Sequence, residues 1–98
     1  MPEESAQQAI DAVEVYWRPG CGFCVRLLRA LSDASVRVRL HNIWEDDEAR
    51  RFVRAHNNGN ETVPTVAVGT SVETNPDPRA FVVALQRTHH YLVGADHG

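Results

Sequence analysis

The chain has 98 residues, 43% of them hydrophobic and 23% charged, and a net charge of −3. That length holds one domain, and that composition supports a packed core and excludes wholesale disorder. The acidic balance, without any basic stripe, argues against nucleic acid as a partner, and no run approaches the ~20 apolar residues of a membrane span.

The opening segment, Met1-Pro2-Glu3-Glu4-Ser5, is acidic and polar. It lacks the basic start and apolar stretch of a secretory signal, so the expected compartment is the cytoplasm, where paired cysteines are kept reduced. Residues 1–12 read as an N-terminal tail, 13–93 as a single domain and 94–98 as a C-terminal tail. Val13-Glu14-Val15-Tyr16-Trp17 alternates apolar and polar residues and predicts a strand. Arg18-Pro19-Gly20 ends it. From Cys21 to Ala34 the period becomes helical, with Phe23, Leu27, Leu28, Leu31 and Ala34 on one stripe. Val36-Arg37-Val38-Arg39-Leu40 alternates as a second strand, with its arginines in solvent.

Glu45-Asp46-Asp47-Glu48 precedes a stretch that ends with Arg54 and His56. Acid first and base last suits a helix dipole, so a second helix is expected here. The acidic cluster lacks the spacing of a calcium loop. Asn57-Asn58-Gly59-Asn60 stops that helix. Val63 to Val68 is a strand opened by Pro64, Gly69-Thr70 is a two-residue turn of type II′, and Ser71 to Thr74 is the returning strand. Asn75-Pro76-Asp77-Pro78 signals a last helix, whose apolar stripe is Phe81, Val82, Leu85, His89 and Leu92. The order is β-α-β-α-β-β-α, an α/β chain in which a helix joins the first two strands in parallel and the last two form a hairpin.

The chemistry concentrates at Cys21 and Cys24, the only cysteines. A C-x-x-C between a strand and a helix reads as a redox pair. Cys21 stands where the helix begins, facing unpaired backbone N–H groups and the positive end of the dipole. With Arg18 three residues before it, its thiolate is expected to be favoured over that of a free cysteine. A thiolate is the form that attacks a disulfide, and the same stabilisation makes Cys21 a good leaving group. Cys24, one turn further on, is placed to close a disulfide with it. Structural zinc would need four ligands, and the five histidines show no matching spacing; no metal is expected.

These segments resemble the glutaredoxins, and within them the actinobacterial mycoredoxins. Tyr16-Trp17-Arg18-Pro19-Gly20-Cys21-Gly22-Phe23-Cys24 is similar to the family's aromatic-x-basic-x-x-Cys-x-x-Cys. Asn58-Gly59-Asn60-Glu61-Thr62-Val63-Pro64-Thr65-Val66 and Thr74-Asn75-Pro76 are similar to the mycoredoxin loop and its T-V-P-T-V and T-N-P motifs. The resemblance implies a thioredoxin-like fold, a four-stranded mixed sheet with helices on both faces, and a cis Val63–Pro64 bond facing Cys21. It also implies that Val63, Pro64 and Thr65 meet an extended substrate. Phe23, Trp17 and Trp44 are candidate stacking surfaces, with core packing the alternative for a tryptophan. Asn75 and Asp77 read either as a plain helix cap or as a polar end for the thiol cofactor.

The motif is C-G-F-C, and the Gly-Gly-x-Asp-like turn with which glutaredoxins hold glutathione is replaced by Asn75-Pro76-Asp77. The resemblance therefore implies mycothiol, a sugar-linked cysteine thiol, as co-substrate over glutathione. The implied activity is reduction of protein–mycothiol mixed disulfides by Cys21, with mycothiol disulfide reductase and NADPH behind it and a monomer as the working unit. Two alternatives stand beside it: a glutaredoxin-like donor recharged by thioredoxin reductase, and a non-enzymatic iron–sulfur carrier.

Overall fold

A computed structural model describes residues 10–94. Strands β1 (Val13–Trp17), β2 (Val38–Asn42), β3 (Thr65–Val68) and β4 (Ser71–Thr74) and helices α1 (Gly22–Asp33), α2 (Asp47–His56) and α3 (Pro78–Thr88) follow the predicted order, with a short 3-10 turn at His90–Leu92. The sheet runs β2-β1-β3-β4. β1 and β2 are parallel, and β3 is antiparallel to both β1 and β4.

Side chains alternate across a strand, and here the alternation divides the core in two. Val13 and Val15 of β1, with Val66 and Val68 of β3, face Leu27 and Leu31 of α1 and Phe81 and Leu85 of α3. On the opposite face Tyr16 and Val63 pack against Ile43, Ala49 and Val53 of the α2 side. There the Tyr16 ring stacks between His41 and Phe52, with centroids 4.6 Å from each. Helices therefore cover both faces, as the resemblance implied.

Several boundaries differ from the sequence reading. The second strand begins at Val38 and continues to Asn42. Val36 does not enter it, because its N–H is bonded to Leu31 O at 2.9 Å and its side chain is in the core. The last helix stops at Thr88, so His89 and Leu92 do not extend its stripe; Leu92 reaches the core from the 3-10 turn instead. On α1 the buried stripe is Cys24, Leu27 and Leu31, while Phe23 turns outward.

β3 is interior, not an edge strand. Pro64 fits there because it precedes the first ladder residue, where no N–H is required. Residues 10–12, at the end of the segment read as the N-terminal tail, already pack on the domain. Ala12 is buried, Ile10 packs on the larger core, and Ile10 O accepts the Tyr91 hydroxyl at 3.0 Å. Asp11 pairs with Arg39 at 2.9 Å, and that guanidinium holds its carboxyl below the usual range. At the other end, the Gly94 N–H reaches Ala34 O at 3.0 Å. The rest of both predicted tails lies outside the described residues.

Candidate active site

Gly20, at φ +77, turns the chain from β1 into α1, a backbone region that glycine enters without penalty. Cys21 then serves as the N-cap of α1. Its Sγ accepts the Cys24 N–H at 3.2 Å, in the place where Ser or Asp commonly caps a helix. The same sulfur, as a thiol, donates to Val63 O at 3.8 Å. The two protonation states thus have different partners: a thiolate keeps the N–H, and only a thiol bonds the carbonyl.

Both thiols are free, with Cys21 6% exposed and Cys24 1%. Burial, followed by the hydrogen bond with Cys21, pushes the Cys24 thiol up to about 12. The backbone and charge of Arg18 pull weakly the other way. Arg18 lies close to the pair, but its guanidinium bonds Pro19 O at 3.0 Å and covers the Trp44 ring at 5.7 Å. Trp44 is 58% exposed, so its indole is a surface feature, whereas Trp17 is half-buried in β1.

The Val63–Pro64 bond is cis. Pro64 is buried, and its carbonyl accepts the Asn75 N–H at 2.7 Å. That bond extends the β3–β4 ladder by one step beyond the Thr65–Thr74 pair. It fastens the Asn75 loop to the proline loop and holds Asn75 at φ +47. Asn tolerates this left-handed region better than most residues. Asp77 caps α3, accepting the Ala80 N–H at 2.9 Å. Asn75, Asp77 and Phe23 line one cleft of about 220 Å³. The structure thus brings Phe23 to Asn75 and Asp77, which are distant from it in sequence.

Thr65 takes a different part. It is fully buried; its hydroxyl donates to Thr62 O at 2.8 Å and accepts from Asn57 Nδ2 at 3.3 Å. Its backbone pairs with Tyr16 and Thr74 inside the sheet. It supports the proline loop from behind and presents no side-chain surface to a ligand. Asn57 completes the support, bonding Val53 O and the Thr74 hydroxyl, each at 2.8 Å. The sequence reading missed Asn57, which it saw only as a helix stop, and Arg26, which borders the cleft and covers the Phe23 ring at 5.9 Å. The signal for Arg26 was its spacing, three residues beyond Phe23 on a helix. Among the described residues, no three His, Cys, Asp or Glu side chains converge to hold a metal ion.

A helix-capping cysteine, a buried second cysteine and a neighbouring cis-proline, on a sheet of this order, define a thioredoxin-like dithiol protein. Comparison with known proteins makes this more specific. The glutaredoxin family model matches residues 13–72, and the chain belongs to the glutaredoxin family. A protein of Mycobacterium tuberculosis that carries a glutaredoxin name is 38% identical over 66 residues, covering 66% of this chain and 79% of the relative. The solution structure of glutaredoxin from Brucella melitensis superposes with a TM-score of 0.63 at 21% identity, over 86% of this chain and 90% of that one. The crystal structure of a glutaredoxin from Archaeoglobus fulgidus gives 0.62 at 19%, over 81% and 90%. These two likenesses establish the fold. Among the described residues no helix is long and apolar enough to cross a membrane.

Proposed function

We propose that the protein is a mycothiol-dependent thiol-disulfide oxidoreductase that reduces protein–mycothiol mixed disulfides in the cytoplasm, acting as a monomer. The observation that carries this reading is the asymmetry of the two thiols. Cys21 is capped by a backbone N–H at the start of α1. Cys24 is sealed below it, with its ionisation opposed by burial and by Cys21. Such a pair favours one nucleophile that works alone.

The Cys21 thiolate attacks the mycothiol sulfur of the mixed disulfide. The S–S bond between mycothiol and the substrate protein breaks, and the protein leaves as a thiolate that takes a proton from solvent. Cys21 then carries mycothiol in a disulfide. The thiolate of a second mycothiol attacks the bound mycothiol sulfur, releasing the Cys21 thiolate and mycothiol disulfide. Mycothiol disulfide reductase returns that product to two thiols with electrons from NADPH. The Cys24 N–H, already aimed at the sulfur, stabilises the charge that returns to Cys21 as this bond breaks. In a side path Cys24 attacks Cys21, expels mycothiol and leaves an intramolecular disulfide.

The cleft formed by Phe23, Asn75 and Asp77 supports placing the mycothiol head group beside the cysteines. An aromatic wall and exposed polar groups suit a polyhydroxylated ligand. The test offers a mycothiolated peptide and a glutathionylated one, each with its own thiol, reductase and NADPH. Turnover of the mycothiol substrate that survives Cys24→Ser and vanishes with Cys21→Ser is the expected result. Equal use of both thiols overturns the cofactor assignment. Turnover with neither moves the reductant to thioredoxin reductase.

A further inference from the structure

The ten basic residues of the chain are all arginine. Arg39, Arg50 and Arg54 are spent on ion pairs with Asp11 and Glu14, Asp47 and Glu61. Three others, Arg26, Arg29 and Arg79, line a cleft of about 560 Å³ between α1 and α3. None of the three has a carboxylate partner among the described residues. All three are exposed. Two acids share that cleft: Asp77, which caps α3, and Asp33, one turn beyond Arg29 at the end of α1.

The cleft is continuous with the smaller one beside the cysteines, since Arg26, Asp77 and Pro78 line both. Arg29 is eight residues along from Cys21, the cap of α1. At the helical rise this is about 12 Å, the span of roughly four residues of extended chain. The other flank of the site has the opposite sign, because Glu45, Asp46, Asp47 and Glu48 crowd the start of α2. A chain that is acidic overall thus sets three arginines against two aspartates in the α1–α3 cleft, a net positive lining.

We propose that the arginine-lined cleft between α1 and α3 is a docking surface for an acidic segment of the protein substrate, with its carboxylates about four residues from the sulfur presented to Cys21. Charge complementarity is the argument: guanidinium groups pair with carboxylates in a planar, two-bonded geometry that lysine lacks. Such a surface sets which proteins approach and in what orientation. The inference goes beyond the proposed chemistry and names the kind of partner that chemistry acts on.

The test is a titration of the reduced, ¹⁵N-labelled chain with two cysteine-free peptides of equal length, one carrying four glutamates and the other four lysines. The acidic peptide is expected to shift the backbone amides of Arg26–Asp33 and Arg79–Val82, and the lysine peptide is not. The double variant Arg29→Glu, Arg79→Glu is expected to weaken the acidic peptide by about five- to tenfold, the effect of two exposed ion pairs reversed. Added salt is expected to weaken it in the wild type. Shifts elsewhere, equal shifts with both peptides, or an unchanged titration in the double variant overturn the proposal. If Glu3→Gln, Glu4→Gln shifts these same amides without peptide, the occupant is the chain's own first residues and the proposal falls. The titration involves no turnover, so it stands or fails independently of the assignment of mycothiol.

Discussion

The backbone N–H of Cys24 is aimed at the sulfur of Cys21, 3.2 Å away, while the Cys24 thiol lies 1% exposed beneath it. One turn of helix thus supports one sulfur and seals off the other. Cys24 contributes to the site first as a backbone donor, and that role survives any substitution that keeps the helix.

The raised Cys24 thiol makes a titration prediction. Its pKa lies above the ordinary value of 9.0, at about 12, so the folded chain holds that proton more tightly than the unfolded chain. The associated stability is complete below pH 9.0 and is lost as pH rises towards about 12. Thiolate absorbance at 240 nm is expected to show Cys24 ionising only in strong alkali. In Cys21→Ala the midpoint falls, because the hydrogen bond is removed, but it stays above 9.0, because burial is the larger cause. Ionisation of Cys24 near neutral pH in the wild type would contradict the burial argument.

Asn57 ties α2, β3 and β4 together through Val53 O, the Thr65 hydroxyl and the Thr74 hydroxyl. Asn57→Ala leaves these partly buried groups short of partners and is expected to cost about 1–3 kcal/mol. The measurement is the urea midpoint at unchanged slope. The same variant is expected to lower activity, since Thr65 supports the Pro64 loop.

Gly69 holds the β3–β4 turn at φ +61, and a Cβ there would stand 2.7 Å from Ile10 Cδ1. Gly69→Ala is expected to cost about 2 kcal/mol, combining left-handed strain with a clash. Gly59→Ala, at φ +87 with open space around it, carries the strain alone, about 1 kcal/mol. Adding Ile10→Ala to Gly69→Ala is expected to cost less than the sum of the two single changes. Strict additivity would mean that Ile10 does not cover the turn in solution.

Phe23 and Leu92 both stand on apolar stripes in the sequence, but only Leu92 is buried. Leu92 is fully buried, and Leu92→Ala is expected to cost about 2–5 kcal/mol. Phe23 is 57% exposed, so Phe23→Ala is expected to change stability by only about 0.5 kcal/mol. Its effect falls on binding instead, as a raised KM for the mycothiolated peptide with kcat little changed. A large loss of stability would place the ring in the core.

The sequence by itself determined the element order, the caps and the location of the redox pair. These are local matters. Val13 to Trp17 alternates, α1 repeats every three to four residues, and Asp46 and Asp77 cap helices because a short acidic side chain satisfies the first free N–H groups wherever it stands. Tertiary structure decided what each side chain faces. It buried Thr65 and exposed Phe23, because strand β3 is interior and the face of α1 that meets the sheet begins at Cys24. It raised the Cys24 thiol, since desolvation depends on everything packed around a group. It also joined Phe23 and Arg26 to Asn75 and Asp77 across about fifty residues. No local pattern encodes that meeting, which arises only when α1 and the start of α3 close over the same face of the sheet.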